Sequence, residues 1–251
     1  AAAIPLYMTG QHVAASVLAA LGEAVLLVAA LRWSNQDFSR VSALALATII
    51  FQALLGMWTV TWLLKPIVVM GHLLGGMLMF GLLIWLAWRA THRPITLAET
   101  PRLVWWLRAG VAVLVLQIAL GGWVSANYAA LACGGGSLSL DNFPRCANQW
   151  WPQQNYSEAF TLWRGIGVDY EGGVLDGASR IAIQMAHRLF AMVVGVYLFW
   201  LGLRLFRLPR TRGSAVALLV LVVLPICLGI ANVDLALPLA AAVRHDGGSV
   251  A

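Results

Sequence analysis

Six stretches of this chain, at about 13–31, 41–62, 66–88, 109–125, 181–203 and 214–232, run for roughly twenty residues each with almost no charged side chain. Such a stretch has one stable home. Hydrocarbon offers no water to the backbone N–H and C=O groups, so the chain must satisfy them within itself, as a helix. A seventh run begins near 237 and ends two or three turns later at Ala251. The expected fold class is therefore all-α and integral to a membrane, with seven helices wholly or partly present. Composition agrees. With 61% hydrophobic and 10% charged residues, too little polar material exists to cover a soluble globule of this size. Ala1 is preceded by neither a Met nor a signal-peptide charge pattern, and the last run is short, so the chain is expected to be represented incompletely at both ends.

Arginine distribution sets the expected sidedness. Loops 32–40, 89–108 and 204–212 hold ten arginines, whereas the short loops 63–65 and 233–236 hold only Lys65. The first set is expected to be cytoplasmic. The net charge of +6 is mostly this bias, so no nucleic-acid partner is inferred. The long loop 126–180 then lies outside, and with Trp150, Trp151, Tyr156, Phe160, Trp163 and Tyr170 it is too aromatic for a disordered linker. It is expected to form a folded cap, with GGGSLSLDN as its flexible portion. Cys133 and Cys146 share this loop, where an oxidising compartment permits a disulfide between them. Cys227 reads as a small core residue of a helix. Glu23, costly in lipid, is expected to face protein or a cofactor, with packing as its main role. His92, beside Arg93 and Pro94 on the inner side, is expected in solvent.

One motif occurs twice. GMWTVTWLLKPIVVMGHLLGG (56–76) and GIANVDLALPLAAAVRHDGG (229–248) share a Leu-Gly start, a Val four residues after the Gly (Val60, Val233), a Leu eight after it (Leu64, Leu237) and a His sixteen after it, His72 and His245. A Gly follows each His at the third position, and the proline shifts by one, Pro66 against Pro238. The separation implies two copies of one supersecondary unit. His12 lies 60 residues before His72 and His187 lies 58 before His245, so four of the five histidines form two similar pairs. Counting from the expected helix starts at 1.5 Å per residue, each sits roughly 10 Å below the outer boundary. Histidine suits zinc, copper or haem iron. Zinc would want carboxylate or thiolate help in one cluster, and none accompanies these histidines at a repeated position. Two histidines on different helices of a four-helix unit, with Gly71, Gly75 and Gly76 beside one of them to admit a flat ligand or a close helix, better fit axial ligation of a haem. That pattern yields two sites and no reaction.

LQIALGGWVSANYAALAC, FPRCANQWWP, LWRGIGVDYEGG, the His187-Arg188 pair and both copies of the repeated motif together resemble the haem A synthase family, in its proteobacterial and mitochondrial branch. The resemblance covers about 40–251. It implies eight helices in two pseudo-symmetric four-helix bundles, a parallel repeat, and oxidation of a methyl group of haem O to the formyl group of haem A. The implied division is 1–88 for an N-terminal half-bundle holding the substrate haem, 89–108 for a cytoplasmic linker, and 109–251 for a C-terminal half-bundle with loop 126–180. The implied ligands are His187 and His245 for a haem b cofactor, and His72 with His12 for haem O. Implied surroundings are the cell inner membrane, with the haem sites towards the periplasm. Implied partners are membrane lipid, an enzyme delivering haem O, an electron donor and a second copy of the chain. The sequence also departs from the family. No segment before Ala1 matches the family's first helix and first outer loop. Thr9 stands where a Glu is usual three residues before the histidine, His12 is followed by Val13, and twelve residues separate Cys133 from Cys146. No catalytic residue is assigned.

Two other functions suit the bare histidine pattern or the repeat. A di-haem b, quinone-linked electron-transfer protein satisfies the histidines equally. A repeat-built transporter breaks its helices at mid-membrane, whereas these glycines and prolines lie near the helix ends.

Overall fold

The computed structural model describes residues 12–32, 39–92, 101–134, 142–165 and 167–234. Seven α-helices and no strand occur among them: α1 (His12–Arg32), α2 (Ser39–Thr61), α3 (Pro66–Thr91), α4 (Pro101–Ala126), the short α5 (Tyr156–Ala159), α6 (Gly177–Phe206) and α7 (Arg212–Asp234), with a 3₁₀ turn at Pro209–Thr211 before α7. Five helices are long and apolar enough to cross a membrane, within Arg40–Thr61, Pro66–Thr91, Arg102–Ala126, Gly177–Phe206 and Pro209–Ala231. In α1 the apolar stretch so described is Val13–Val25. Only 6% of the most apolar stretch of α3 is buried in the protein, which lipid tolerates and water does not. This is a multi-pass membrane protein. The seventh apolar run, from 237, lies outside the described residues.

Local chemistry explains several boundaries. Pro66 opens α3, where its missing N–H costs nothing. At the other end the His92 N–H returns to Trp88 O at 2.8 Å. Asp176 caps α6 by accepting the Ser179 N–H at 2.7 Å, so that helix begins several residues before the expected 181. Helix α4 begins at Pro101 and α3 continues to Thr91, so helix replaces most of the expected loop 89–108. Pro225 stands inside α7, and a spanning helix tolerates it where neighbours can meet the freed carbonyl.

The chain forms two units, Ala1–Thr96 with Arg164–Glu171, and Leu97–Trp163 with Gly172–Ala251. In the first, α2 packs against both α1 and α3. The α2–α3 turn places Leu63 and Leu64 at φ of 51° and 58°, a left-handed pair that non-glycine residues adopt at a cost. A segment of the long loop covers that turn. Tyr170 donates its N–H to Leu63 O at 3.1 Å, and Lys65 donates its ammonium to Gly165 O. Lys65 is only 1% exposed, and burial lowers its pKa from the ordinary lysine value.

In the second unit α6 is central, packing against α4, α5 and α7. Leu103, Val194, Leu198, Leu201, Leu205 and Ala215 form its core. Gly110 and Gly202 let leucines of neighbouring helices approach closely, the small-residue packing that lipid favours. Cys133 and Cys146 are joined as a disulfide, with Cα atoms 4.3 Å apart, and Met185 and Ile181 of α6 pack on it. Of the loop aromatics, Tyr170 is buried whereas Trp150, Trp151 and Trp163 are exposed, so the loop folds by backbone and disulfide contacts more than by an aromatic core. GGGSLSLDN lies almost wholly outside the described residues. Cys227 corrects the sequence reading: it is exposed. Apolar character in a bilayer protein does not report burial inside the protein, because lipid covers an outward face equally well.

Candidate functional site

Two described histidines share one arrangement. His72 stands six residues into α3, against Gly56 of α2, and a Cβ built on Gly56 would lie 3.3 Å from His72 Cε1. His187 stands ten residues into α6, against Gly121 of α4, and a Cβ there would lie 3.2 Å from His187 Cε1. In each case glycine lets the imidazole edge rest on the neighbouring backbone. A glutamine precedes each glycine by one helical turn, Gln52 and Gln117, and a tryptophan follows it by two residues, Trp58 and Trp123. The seat therefore reads Gln-x3-Gly-x-Trp in both units. Sequence reasoning missed Gln52, Gln117 and Gly121, although that short repeat was a signal that could have found them.

The two seats differ in finish. Gln117 Nε2 lies 3.1 Å from His187 Nδ1 and 3.4 Å from the His187 carbonyl oxygen, with its Oε1 buried and without a partner. His187 is half-buried. At the first seat the Gln52 amide is turned onto Gly75, where a Cβ would come within 1.7 Å of Nε2, and that nitrogen is buried without a partner. His72 is exposed.

Around His187 the long loop is anchored firmly. Arg188 donates from Nη1 to the carbonyls of Asn142 at 3.0 Å and Arg145 at 3.1 Å, with its guanidinium over Phe143. Thus the arginine of the His-Arg pair holds the loop beside the disulfide. Trp123 Nε1 donates to Ala159 O at 2.9 Å, and Asn127 Nδ2 to Trp123 O at 2.9 Å, so the α4 end of the seat is tied to α5.

Of the other expected residues, His245 and Thr9 lie outside the described residues. His12 begins α1, and only its backbone is described. His92 is exposed and stacks on Trp88 at 4.0 Å, as a solvent-facing residue would. One carboxylate oxygen of Glu23 is buried without a hydrogen bond, although the residue as a whole is half-buried. No three His, Cys, Asp or Glu side chains gather into a metal cluster among the described residues.

His187 with Gln117 and Gly121 fits a group ligated through an imidazole nitrogen. The ring is half-buried, its carbon edge fills a cradle that a Cβ would occupy, and a buried polar atom beside it lacks a partner. The sequence profile of the family described as cytochrome oxidase assembly protein matches residues 8–251. This chain belongs to the cytochrome oxidase assembly protein family. Within reach of that family, the protein named heme A synthase of Shewanella oneidensis is 41% identical over 203 residues, covering 80% of this chain and 59% of that protein. The chain thus matches about three fifths of that relative's length. No solved structure matches. Membership is consistent with both seats, since the match includes the whole of α2, α3, α4 and α6.

Proposed function

We propose that this chain carries the haem sites of a haem A synthase, an oxidoreductase that converts a methyl group of haem O to the formyl group of haem A. The observation that carries the reading is the doubled seat: one histidine resting on one glycine, in each of two units, within a family that has a relative bearing that name. The doubling also supports two pseudo-symmetric four-helix bundles, one N-terminal and one C-terminal. His187 and His245 would hold a haem b cofactor in the C-terminal half. His72, with His12, receives the substrate haem O in the N-terminal half.

When bound, haem b supplies redox chemistry at its iron. The protein's own residues bind and orient. Gly121 lets the Cε1 edge of the His187 ring rest against α4, and Arg188 holds the loop at Asn142 and Arg145 over that end of the helix pair. Gly71 and Gly75 pack against Leu55 and Gln52 of α2, whereas nothing lies within 4 Å of a Cβ at Gly76, one turn after His72, so a large planar substrate with an apolar tail can approach that side of α3 from lipid. The firmer seat suits a cofactor that stays, and the more exposed one suits a substrate that enters and leaves. Localisation follows as the cell inner membrane, with the haem sites towards the periplasm. Partners are an enzyme that delivers haem O, an electron donor and a second copy of the chain.

The test is chemical. The full-length protein, purified from cells that make haem O, should yield haem A or its hydroxylated precursor alongside haem B by pyridine haemochrome spectra and mass analysis of extracted pigment. Haem B alone would overturn the reading in favour of di-haem electron transfer.

A further inference from the structure

Gln117 is the point at which the two seats part. Its carboxamide sits one turn before Gly121, with one terminal atom 3.1 Å from His187 Nδ1 and the other buried without a partner. In the setting seen, Nε2 also reaches the His187 carbonyl oxygen at 3.4 Å, and in either setting one amide atom stays buried without a partner. The nitrogen and oxygen of a glutamine amide exchange places by a half-turn about the last bond, with almost no change in heavy-atom positions. Each setting matches one form of the imidazole. With Nε2 facing the ring, the amide donates to a bare Nδ1, and the ring's own proton is then on its Nε2. With Oε1 facing the ring, the amide accepts from Nδ1–H, and the ring's Nε2 is left with its lone pair free. A histidine that ligates a metal through Nε2 keeps its proton on Nδ1 and needs an acceptor there.

We propose that Gln117 is the positioning residue for His187, its Oε1 accepting the Nδ1–H and so fixing the tautomer that offers Nε2 to haem iron. The proposal rests on the haem reading above and adds to it a residue that touches neither haem nor substrate. The other unit supplies the contrast. Gln52 occupies the same place relative to Gly56, but its amide packs on Gly75 with its nitrogen unpartnered. The hydrogen bond to the ring is thus a property of the second seat, and it accounts for firm ligation there and exchangeable ligation at His72. A glutamine serving only to clamp α4 to α6 through the His187 carbonyl would leave the electronic state of the ring unchanged. An acceptor on Nδ1–H instead gives the ring partial imidazolate character, which favours the oxidised iron and lowers its potential.

The experiment uses the full-length protein with its haem, and compares wild type, Gln117→Leu and Gln117→Glu. The readouts are the midpoint potential of the low-spin haem b, its electron paramagnetic resonance g-values, and the rate at which it is lost to apomyoglobin. Gln117→Leu, lacking an acceptor, should raise the potential and speed haem loss several-fold. Gln117→Glu, a stronger acceptor of similar size, should bring the potential below that of wild type. If Gln117→Leu fails to fold, the shift in Gln117→Glu still decides. A bis-histidine haem whose potential and g-values are unchanged in the variants that fold would overturn this inference and leave the haem reading standing. A wild-type protein with no bis-histidine haem would overturn both.

Discussion

Substituting Gly121 by Ala tests the seat directly, because the effect can be worked out from one distance. The new Cβ would stand 3.2 Å from His187 Cε1, with Nδ1 at 3.8 Å and Nε2 at 4.0 Å. Carbon atoms pack best at about 3.5–4.0 Å, so the ring must retreat by a few tenths of an ångström. It cannot do so without cost, since retreat from α4 also stretches the 3.1 Å contact between Nδ1 and Gln117 of the same helix. Mild overpacking costs about 1–3 kcal/mol, while alanine gains about 1 kcal/mol over glycine in a helix interior. Overall stability should therefore change little. The displaced imidazole should weaken haem binding by about 1 kcal/mol, or ~5-fold in affinity. Haem b per protein and the reduced-minus-oxidised spectrum report the change, with Gly81→Ala as control, since nothing lies within 4 Å of that position. Gly56→Ala brings a Cβ to 3.3 Å from His72 Cε1, but that ring is exposed and can swing, so less than a twofold change is expected there. If Gly121→Ala and Gly81→Ala are indistinguishable in haem content and spectrum, the contact between Gly121 and His187 has no part in ligation.

The histidines themselves should separate by half. His187→Ala and His245→Ala are each expected to lose haem b, while His72→Ala keeps the haem b spectrum and loses conversion of haem O; an empty haem b site in His72→Ala with a filled one in His245→Ala would reverse the assignment. Alkylation of unreduced protein should label neither Cys133 nor Cys146, which the structure joins, and labelling of both by mass spectrometry would contradict that bond. Ser179, through its side chain and then its backbone N–H, holds the Asp176 carboxyl below the usual carboxylate range. A depressed folded pKa means that the cap stabilises the start of α6 above the ordinary carboxylate value of about 4 and is lost as pH falls through the folded value. Amide exchange at Ser179 should quicken on that acid limb in wild type and stay fast throughout in Asp176→Ala; equal protection in the two proteins at neutral pH would refute the cap.

Element identity was legible without the fold because a bilayer leaves a long apolar run little choice. The runs read at 66–88 and 181–203 became Pro66–Thr91 and Gly177–Phe206, the right helices with their ends misplaced. Those ends depend on caps and on loop contacts, such as Asp176 on Ser179, that no hydropathy pattern contains. The histidines were visible as well. An ionisable residue in an apolar run is costly enough to announce itself, and the spacing of Gly56 to His72 repeats at Gly229 to His245.

Tertiary structure alone decided what His187 rests on. Gly56 and His72 are joined by a tight turn, so their pairing follows from antiparallel helices of known rise. Gly121 and His187 are 66 residues apart across a folded, disulfide-bonded loop, and no local rule relates them. The same holds for Lys65, an ordinary loop charge in sequence, which is 1% exposed with its ammonium on Gly165 O, a hundred residues away. Cys227 shows the converse, an apolar position that proved exposed. In a membrane the hydrophobic pattern selects what leaves water, and only packing between helices and the long loop determines which of those groups meet one another and which meet lipid.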